Sequence, residues 1–253
     1  MCTSINIIRA MSTAGSTIPA RVHNPYTYFL QTPDTVLKNR QDMEDGTIIM
    51  ESTEDPDQVS REIHAVAEQM QTAMTKGELG SILSRELQRY SLFDLQIIGG
   101  RLNTEIERLP SPYREAIRPF FREQLFGKHH LLFAMYRSRS FERLNTPLRD
   151  RESFENFCTM LKTGIFAWDD SSERNPCFRN PKNRLFYYLI SAFTLFVLEE
   201  PGHPVGMPFP GGFKVEKRGN EYYCLIRDRE KEVFYSICNF CPALQSEENK
   251  NPV

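Results

Sequence analysis

The sequence predicts a mainly α protein: a helical bundle followed by a small C-terminal module built from a β-hairpin and a cysteine knuckle. Three observations carry this prediction. Apolar residues recur at helical spacing over 59–199. The pattern then breaks in a stretch, 201–212, that holds four Pro and four Gly. Three of the six Cys fall within the last thirty residues.

With 253 residues the chain can form one ordinary domain plus a tail, or two small domains. Aromatic residues make up 11%, including 18 Phe, so a large aromatic core is available. The net charge of -2 gives no global attraction to nucleic acid or to an anionic membrane.

Residues 1–58 are rich in Ser, Thr, Pro and Asn and lack a sustained period. From Gln41 to Gln58 there are seven acidic residues and no Lys or Arg. Such a stretch buries too little apolar surface to offset its ordering entropy, so a disordered acidic leader is expected. The short apolar run Ile5–Ile8 contains Asn6 and falls short of a secretory core.

The helices follow. Val59, Ile63, Val66, Met70 and Met74 share one helical face, which Gly77 is expected to end. Leu79, Ile82, Leu83 and Leu87 form a second stripe. Ser91 with Asp94 reads as an N-cap for a helix stopped at Gly99-Gly100. Ser111-Pro112 opens the next helix, and Pro119 is expected to kink it. Phe154, Phe157, Cys158 and Leu161 form a further stripe before Gly164. Leu185–Leu198 is apolar nearly all round, as a helix at the centre of a bundle would be. Its fourteen residues are fewer than the roughly twenty that a membrane span requires. The cytoplasm is the expected compartment, where cysteines are normally reduced and close pairs point to metal or redox chemistry.

Residues 200–253 form the third region. Phe213 and Val215, then Tyr223 and Leu225, alternate around Arg218-Gly219-Asn220, the pattern of a β-hairpin with a Gly-containing turn. Gly211-Gly212 lacks a following Lys-Ser/Thr and reads as a turn, not a phosphate loop. Cys224 lies near the end of the second strand. Cys238 and Cys241 follow in CNFCP, giving Cys-x13-Cys-x2-Cys. Two Cys separated by two residues can both reach one cation, and a hairpin cysteine is a common third ligand. A tetrahedral zinc site needs a fourth ligand. His203 in the Pro/Gly loop is the first candidate, Cys177 the alternative and Asp228 the third. Cys158 reads as a buried core thiol and Cys2 lies in the leader. With His203 the set suits zinc; with Cys177 it is all-thiolate and an iron–sulfur cluster gains. A redox C-x-x-C pair needs a βαβ setting that is missing here, and plain packing of small apolar thiols is the remaining reading.

Arg114, Arg118 and Arg122 recur every four residues. They open a window to Arg151 with nine basic and four acidic residues. It could bind anions or nucleic acid. A solvated helix face is the simpler reading.

The segments RLFYYLISAFTLFVLEEPGHPVGMPFPGGFKVE, YYC and ICNFC resemble an uncharacterised protein family of methanogenic archaea, domain-of-unknown-function family 2115, also called uncharacterised protein family 0305. ELGSILSRELQRYSLFDL and PSPYRE resemble its N-terminal half. The likeness covers roughly Gly77 to Gln245 and leaves the leader outside. It implies a cytoplasmic setting in a strict anaerobe, where exposed thiolates are tolerated, and it implies no activity. Three functions therefore stand as expectations. They are a zinc-clamped binding or accessory protein, a metalloenzyme or iron–sulfur protein of anaerobic metabolism, and a nucleic-acid-associated protein.

Overall fold

The computed structural model describes residues 55–167, 180–209 and 211–246. The predicted leader lies outside these residues apart from its last four positions. Those positions already belong to the first helix or its cap. Asp55 is the N-cap of α1 (Pro56–Gln71), accepting from Asp57 N–H at 3.1 Å, and Pro56 occupies the first turn.

The chain continues through α2 (Lys76–Leu87), α3 (Leu92–Glu107) and α4 (Tyr113–Arg122). A π-helical turn (Glu123–Gly127) joins α4 to α5 (Lys128–Arg137). Then come the single turn α6 (Ser140–Arg143), α7 (Arg151–Gly164) and α8 (Pro181–Ala192), which runs into a second π-helical turn (Phe193–Val197). The protein is thus mainly helical, as the spacing predicts.

Caps read from the sequence set several starts. Ser91 and Asp94 form a capping box on α3. Thr75 and Glu78 form another on α2: Glu78 Oε2 accepts from the N–H of Met74 (2.7 Å) and Thr75 (3.1 Å). Two expected stops are corrected. α1 ends at Gln71, and Gly77 lies inside α2, buried against the carbonyls of Phe141 and Leu144. There Gly77 N–H donates to Leu144 O at 3.0 Å, and Lys76 N–H to Thr146 O at 2.9 Å. A glycine at this point lets two backbones touch. Gly99 and Gly100 also lie within a helix, since α3 continues to Glu107. The expected helical stripe loses Met74, which is past the end of α1 and 61% exposed.

α1 turns Val59, Ile63, Val66, Ala67 and Met70 inward and packs on α7 and α2. α8 is central, with every residue from Asn183 to Ala192 buried. Its aromatic neighbours meet edge to face, including Phe157 with Tyr188 and Phe196, and Tyr90 with Phe186. Among the described residues no helix is long and apolar enough to cross a membrane.

The C-terminal region is a three-stranded sheet in the order β1 (Glu216–Arg218), β2 (Glu221–Cys224), β3 (Leu244–Gln245). β1 and β2 are the expected hairpin, antiparallel with Arg218 opposite Glu221. Gly219 at φ 61° supplies the left-handed turn residue. β3 pairs parallel to β2, placing Cys224 opposite Gln245. Between them lie two 3-10 turns, Arg227–Glu230 and Ile237–Phe240, packed on each other.

Candidate functional site

The Pro/Gly stretch is a connector buried at Pro201, Gly202, His203, Met207 and Phe209 and exposed at Val205, Gly211 and Gly212. Gly206 N–H donates to Val215 O at 2.8 Å, and Val215 N–H to Met207 O at 3.2 Å, so the loop is stitched to the start of the hairpin. His203, Met207 and Phe209 are buried, with His203 and Phe209 edge to face at 5.5 Å. Burial pushes the His203 imidazole down to about 3, so it is neutral at physiological pH.

The connector, the hairpin end and the second 3-10 turn meet around three thiols. Cys224 and Cys238 are each 4% exposed and Cys241 is half-buried. Two of the three affect the ionisation of another: Cys241 raises both Cys224 and Cys238, and Cys224 raises Cys238. The set of Cys224, Cys238 and Cys241 proposed from spacing is coupled only through these pairs. It is not a finished coordination set: among the described residues no group of three or more His, Cys, Asp or Glu forms a site that could hold a metal ion.

Polar groups around the sulfurs favour their ionised form. The backbone N–H groups of Ile226 and Arg227 act as donors toward Cys224, and those of Ala243 and Gly202 toward Cys241. The Ser236 hydroxyl does the same for Cys238, and also accepts from Cys238 N–H at 3.3 Å. The Arg227 guanidinium acts in the same sense on Cys224 and Cys241. Burial nevertheless dominates and raises all three thiols, Cys224 to about 11.

The fourth-ligand candidates separate. His203 follows directly on Gly202, whose N–H faces Cys241. Cys177 lies outside the described residues. Asp228 is engaged with Arg227 at 2.8 Å and Lys231 at 2.9 Å. Glu230, which the sequence reading passes over, ends the first 3-10 turn and is fully buried. Neither of its carboxylate oxygens has a hydrogen-bond partner of good geometry. Burial lifts its carboxyl to about 7, offset in part by the Ser236 hydroxyl, and its charge bears on Cys238. Only the three-dimensional placement singles it out among 33 acidic residues. Cys158 is the core thiol expected, at 0% exposure on α7, with its ionisation pushed up to about 12 by burial.

Arg114, Arg118 and Arg122 share a face as their spacing requires, and that face lies along α3. Arg118 pairs with Glu107 at 2.5 Å, Arg114 with Glu107 and Glu115, and Arg122 bonds Asn103 Oδ1 at 3.3 Å. The rest of the basic run is also engaged in part. Lys128 pairs with Glu200 at 2.5 Å, and Arg151 caps the carbonyl end of α1 through Gln71 O (2.5 Å) and Ala73 O.

The module is fastened to the helices by aromatic and polar contacts. Phe240 meets Phe157 of α7 at 5.2 Å, and the Tyr188 hydroxyl of α8 donates to Tyr235 O at 2.7 Å.

No solved structure matches the chain. A UPF0305 protein of Methanocaldococcus jannaschii is 26% identical over 181 residues, which is 70% of this chain and 100% of that protein. A UPF0305 protein of Methanothermobacter thermautotrophicus is 44% identical over 57 residues, 22% of this chain and 35% of that protein. One of Methanopyrus kandleri is 38% identical over 74 residues, covering 29% and 52%. Residues 75–246 match the family described as an uncharacterised protein conserved in archaea, and the helices from α2 onward, the connector and the cysteine-bearing sheet all fall inside that match. The chain belongs to the DUF2115 family.

Proposed function

We propose that the C-terminal module is a structural metal site, with zinc clamped by Cys224, Cys238 and Cys241, in a protein that acts through binding and not through catalysis at this centre. The observation that carries the reading is the set of backbone N–H groups directed at the sulfurs, from Ile226 and Arg227 on one side and Gly202 and Ala243 on the other. A neutral thiol used as an apolar filler does not call for such donors; a metal-bound thiolate does. The sulfurs come from the hairpin end and the second 3-10 turn, so one ion would join those two segments and, through a fourth ligand, a further one. Burial of Cys224 and Cys238, with Cys241 half-buried, limits access to the metal, which favours a clamp over an open catalytic position. Because no set of three or more ligands stands assembled among the described residues, metal binding and folding of this region would be coupled.

Elemental analysis of purified protein tests the reading. About one zinc per chain is expected, lost in Cys238→Ser together with ordered structure in 201–246, while the helical circular-dichroism signal remains. Iron with visible charge-transfer absorption would instead mark an iron–sulfur centre. Protein that is metal-free after expression with added zinc, and whose thermal midpoint zinc does not raise, would remove the proposal.

A further inference from the structure

We propose that a cleft along α2, outside the cysteine module, binds a small molecule through a carboxylate or phosphate group, with Arg85 as the charged anchor and Ser81 and Asn145 as neighbouring hydrogen-bond donors. This goes beyond the zinc reading and does not depend on it.

The cleft has a volume of about 520 Å³, within the range of roughly 300–1,000 Å³ common to small-molecule sites. One wall is a single face of α2, where Glu78, Ser81, Ile82 and Arg85 fall at helical spacing. The remaining walls are Thr72 and Ala73, just past α1, and Phe141, Glu142 and Asn145 of α6 and the chain after it. Ile82 and Phe141 are buried and give the lining an apolar part. The walls are tied together by backbone. Gly77 N–H donates to Leu144 O and Lys76 N–H to Thr146 O, and Gly77 lies against the carbonyls of Phe141 and Leu144. A site on such a frame spends little free energy on ordering itself when a ligand binds.

The polar groups of the lining divide by whether they are already engaged. Glu78 Oε2 accepts from the N–H of Met74 and Thr75, and Thr75 Oγ1 accepts from Glu78 N–H. The Thr72 hydroxyl donates to Gln69 O at 2.7 Å, and Glu142 Oε1 accepts from Arg139 Nε at 2.8 Å. The Ser81 hydroxyl, the Asn145 side-chain amide and the Arg85 guanidinium make no hydrogen bond or ion pair among the described residues. All three can donate, and Arg85 carries a positive charge that no carboxylate answers. Both acids of the lining are offset where they stand, Glu78 by two N–H groups at the start of α2 and Glu142 by Arg139. A cation therefore meets no free carboxylate in this cleft. An oxyanion meets a guanidinium fork, whose planar N–H groups match a carboxylate or a phosphate. The concave wall strengthens that attraction relative to an open surface.

Heteronuclear NMR of the full chain tests this. Wild type, Arg85→Ala, Arg85→Lys and Ser81→Ala are each titrated to millimolar concentration with succinate and, separately, with inorganic phosphate, at ionic strength held constant with chloride. Wild type is expected to show saturable amide shifts in 72–85 and 141–145 with at least one probe, and the probe that saturates identifies the head group. Arg85→Ala should weaken binding by about tenfold or more. Arg85→Lys should recover part of the loss, since it keeps the charge without the fork. Ser81→Ala should weaken binding by less than Arg85→Ala. Arg85 is exposed, so the amide spectrum away from the cleft should stay unchanged in its variants, which separates lost binding from lost folding. Saturation of wild type by neither probe overturns the proposal, as does an Arg85→Ala protein with wild-type affinity. Shifts confined to the face from Arg114 to Arg122 also overturn it. Each of these outcomes leaves the zinc reading untouched.

Discussion

Gly77 and Gly100 look alike in the sequence, each a glycine near a helical stripe, and the structure gives them opposite roles. A Cβ on Gly77 would stand 2.2 Å from Phe141 O and 2.5 Å from Leu144 O. Both are backbone atoms and cannot rotate away. The same approach forms the Gly77 N–H to Leu144 O hydrogen bond, so pushing the segments apart also weakens that bond and its neighbour from Lys76. Gly80, one turn on, meets the buried Phe141 ring, so the contact cannot be relieved by sliding in that direction. Overpacking of this kind costs about 1–3 kcal/mol, against about 1 kcal/mol gained from alanine in a helix interior. Because the obstacle is backbone, the upper end applies, and Gly77→Ala should lose about 2 kcal/mol net, lowering the melting midpoint by about 4–8 °C in a chain of this size. At Gly100 an added Cβ meets nothing within 4 Å. Gly100→Ala should therefore gain about 1 kcal/mol and raise the midpoint by about 2–4 °C. Thermal and urea unfolding followed by circular dichroism read both. Equal midpoints for the two variants, or a stabilised Gly77→Ala, would refute the argument that α2 is held by backbone contact.

Two further outcomes follow from the same contacts. Tyr188→Phe removes the hydroxyl that holds Tyr235 O and should cost about 0.5–1.5 kcal/mol. Amide exchange should quicken in 231–246 more than in α1 or α7, and uniform exchange would mean that the module is fastened elsewhere. Glu78 is held below the usual carboxylate range by the N–H groups of Met74 and Thr75. Its ionised form therefore adds stability above the unfolded value of about 4.3, and that contribution is lost as pH falls through the lower folded value. Wild type should exceed Glu78→Gln in midpoint at neutral pH, and the gap should close in acid. A constant gap from neutral to acid pH would argue against the capping carboxylate.

Local chemistry was legible wherever it acted within a few residues. Ser91 and Asp94 cap the helix they precede, because a short polar side chain satisfies amides three residues on without help from the rest of the fold. The Leu185–Leu198 stretch is buried as far as Val197 because a helix apolar on every face has nowhere else to go. Gly219 turns the hairpin because few residues adopt φ 61° cheaply.

Contacts between distant segments were not legible. Gly77 and Gly99 read as helix stops because glycine lowers helix propensity; tertiary packing overrode that weak preference at both. The two-residue strand Leu244–Gln245 is too short to carry a period, and it forms because the hairpin offers it an edge. The arginine face from Arg114 to Arg122 was visible as a spacing, while its partners Glu107 and Asn103 come from another helix.

The candidate site divides the same way. The sequence by itself marked Cys224, Cys238 and Cys241 as candidates, because a C-x-x-C pair is a local signal and the third cysteine lies at a strand end that turn residues mark. Tertiary structure alone decided that Gly202 of the connector faces Cys241, and that Glu230 is fully buried on a turn packed against the one that carries Cys238. The physical reason is that a carboxylate is remarkable only by its surroundings. Water makes an exposed Glu ordinary, and the withdrawal of water, which no stretch of sequence around residue 230 records, lifts this carboxyl to about 7.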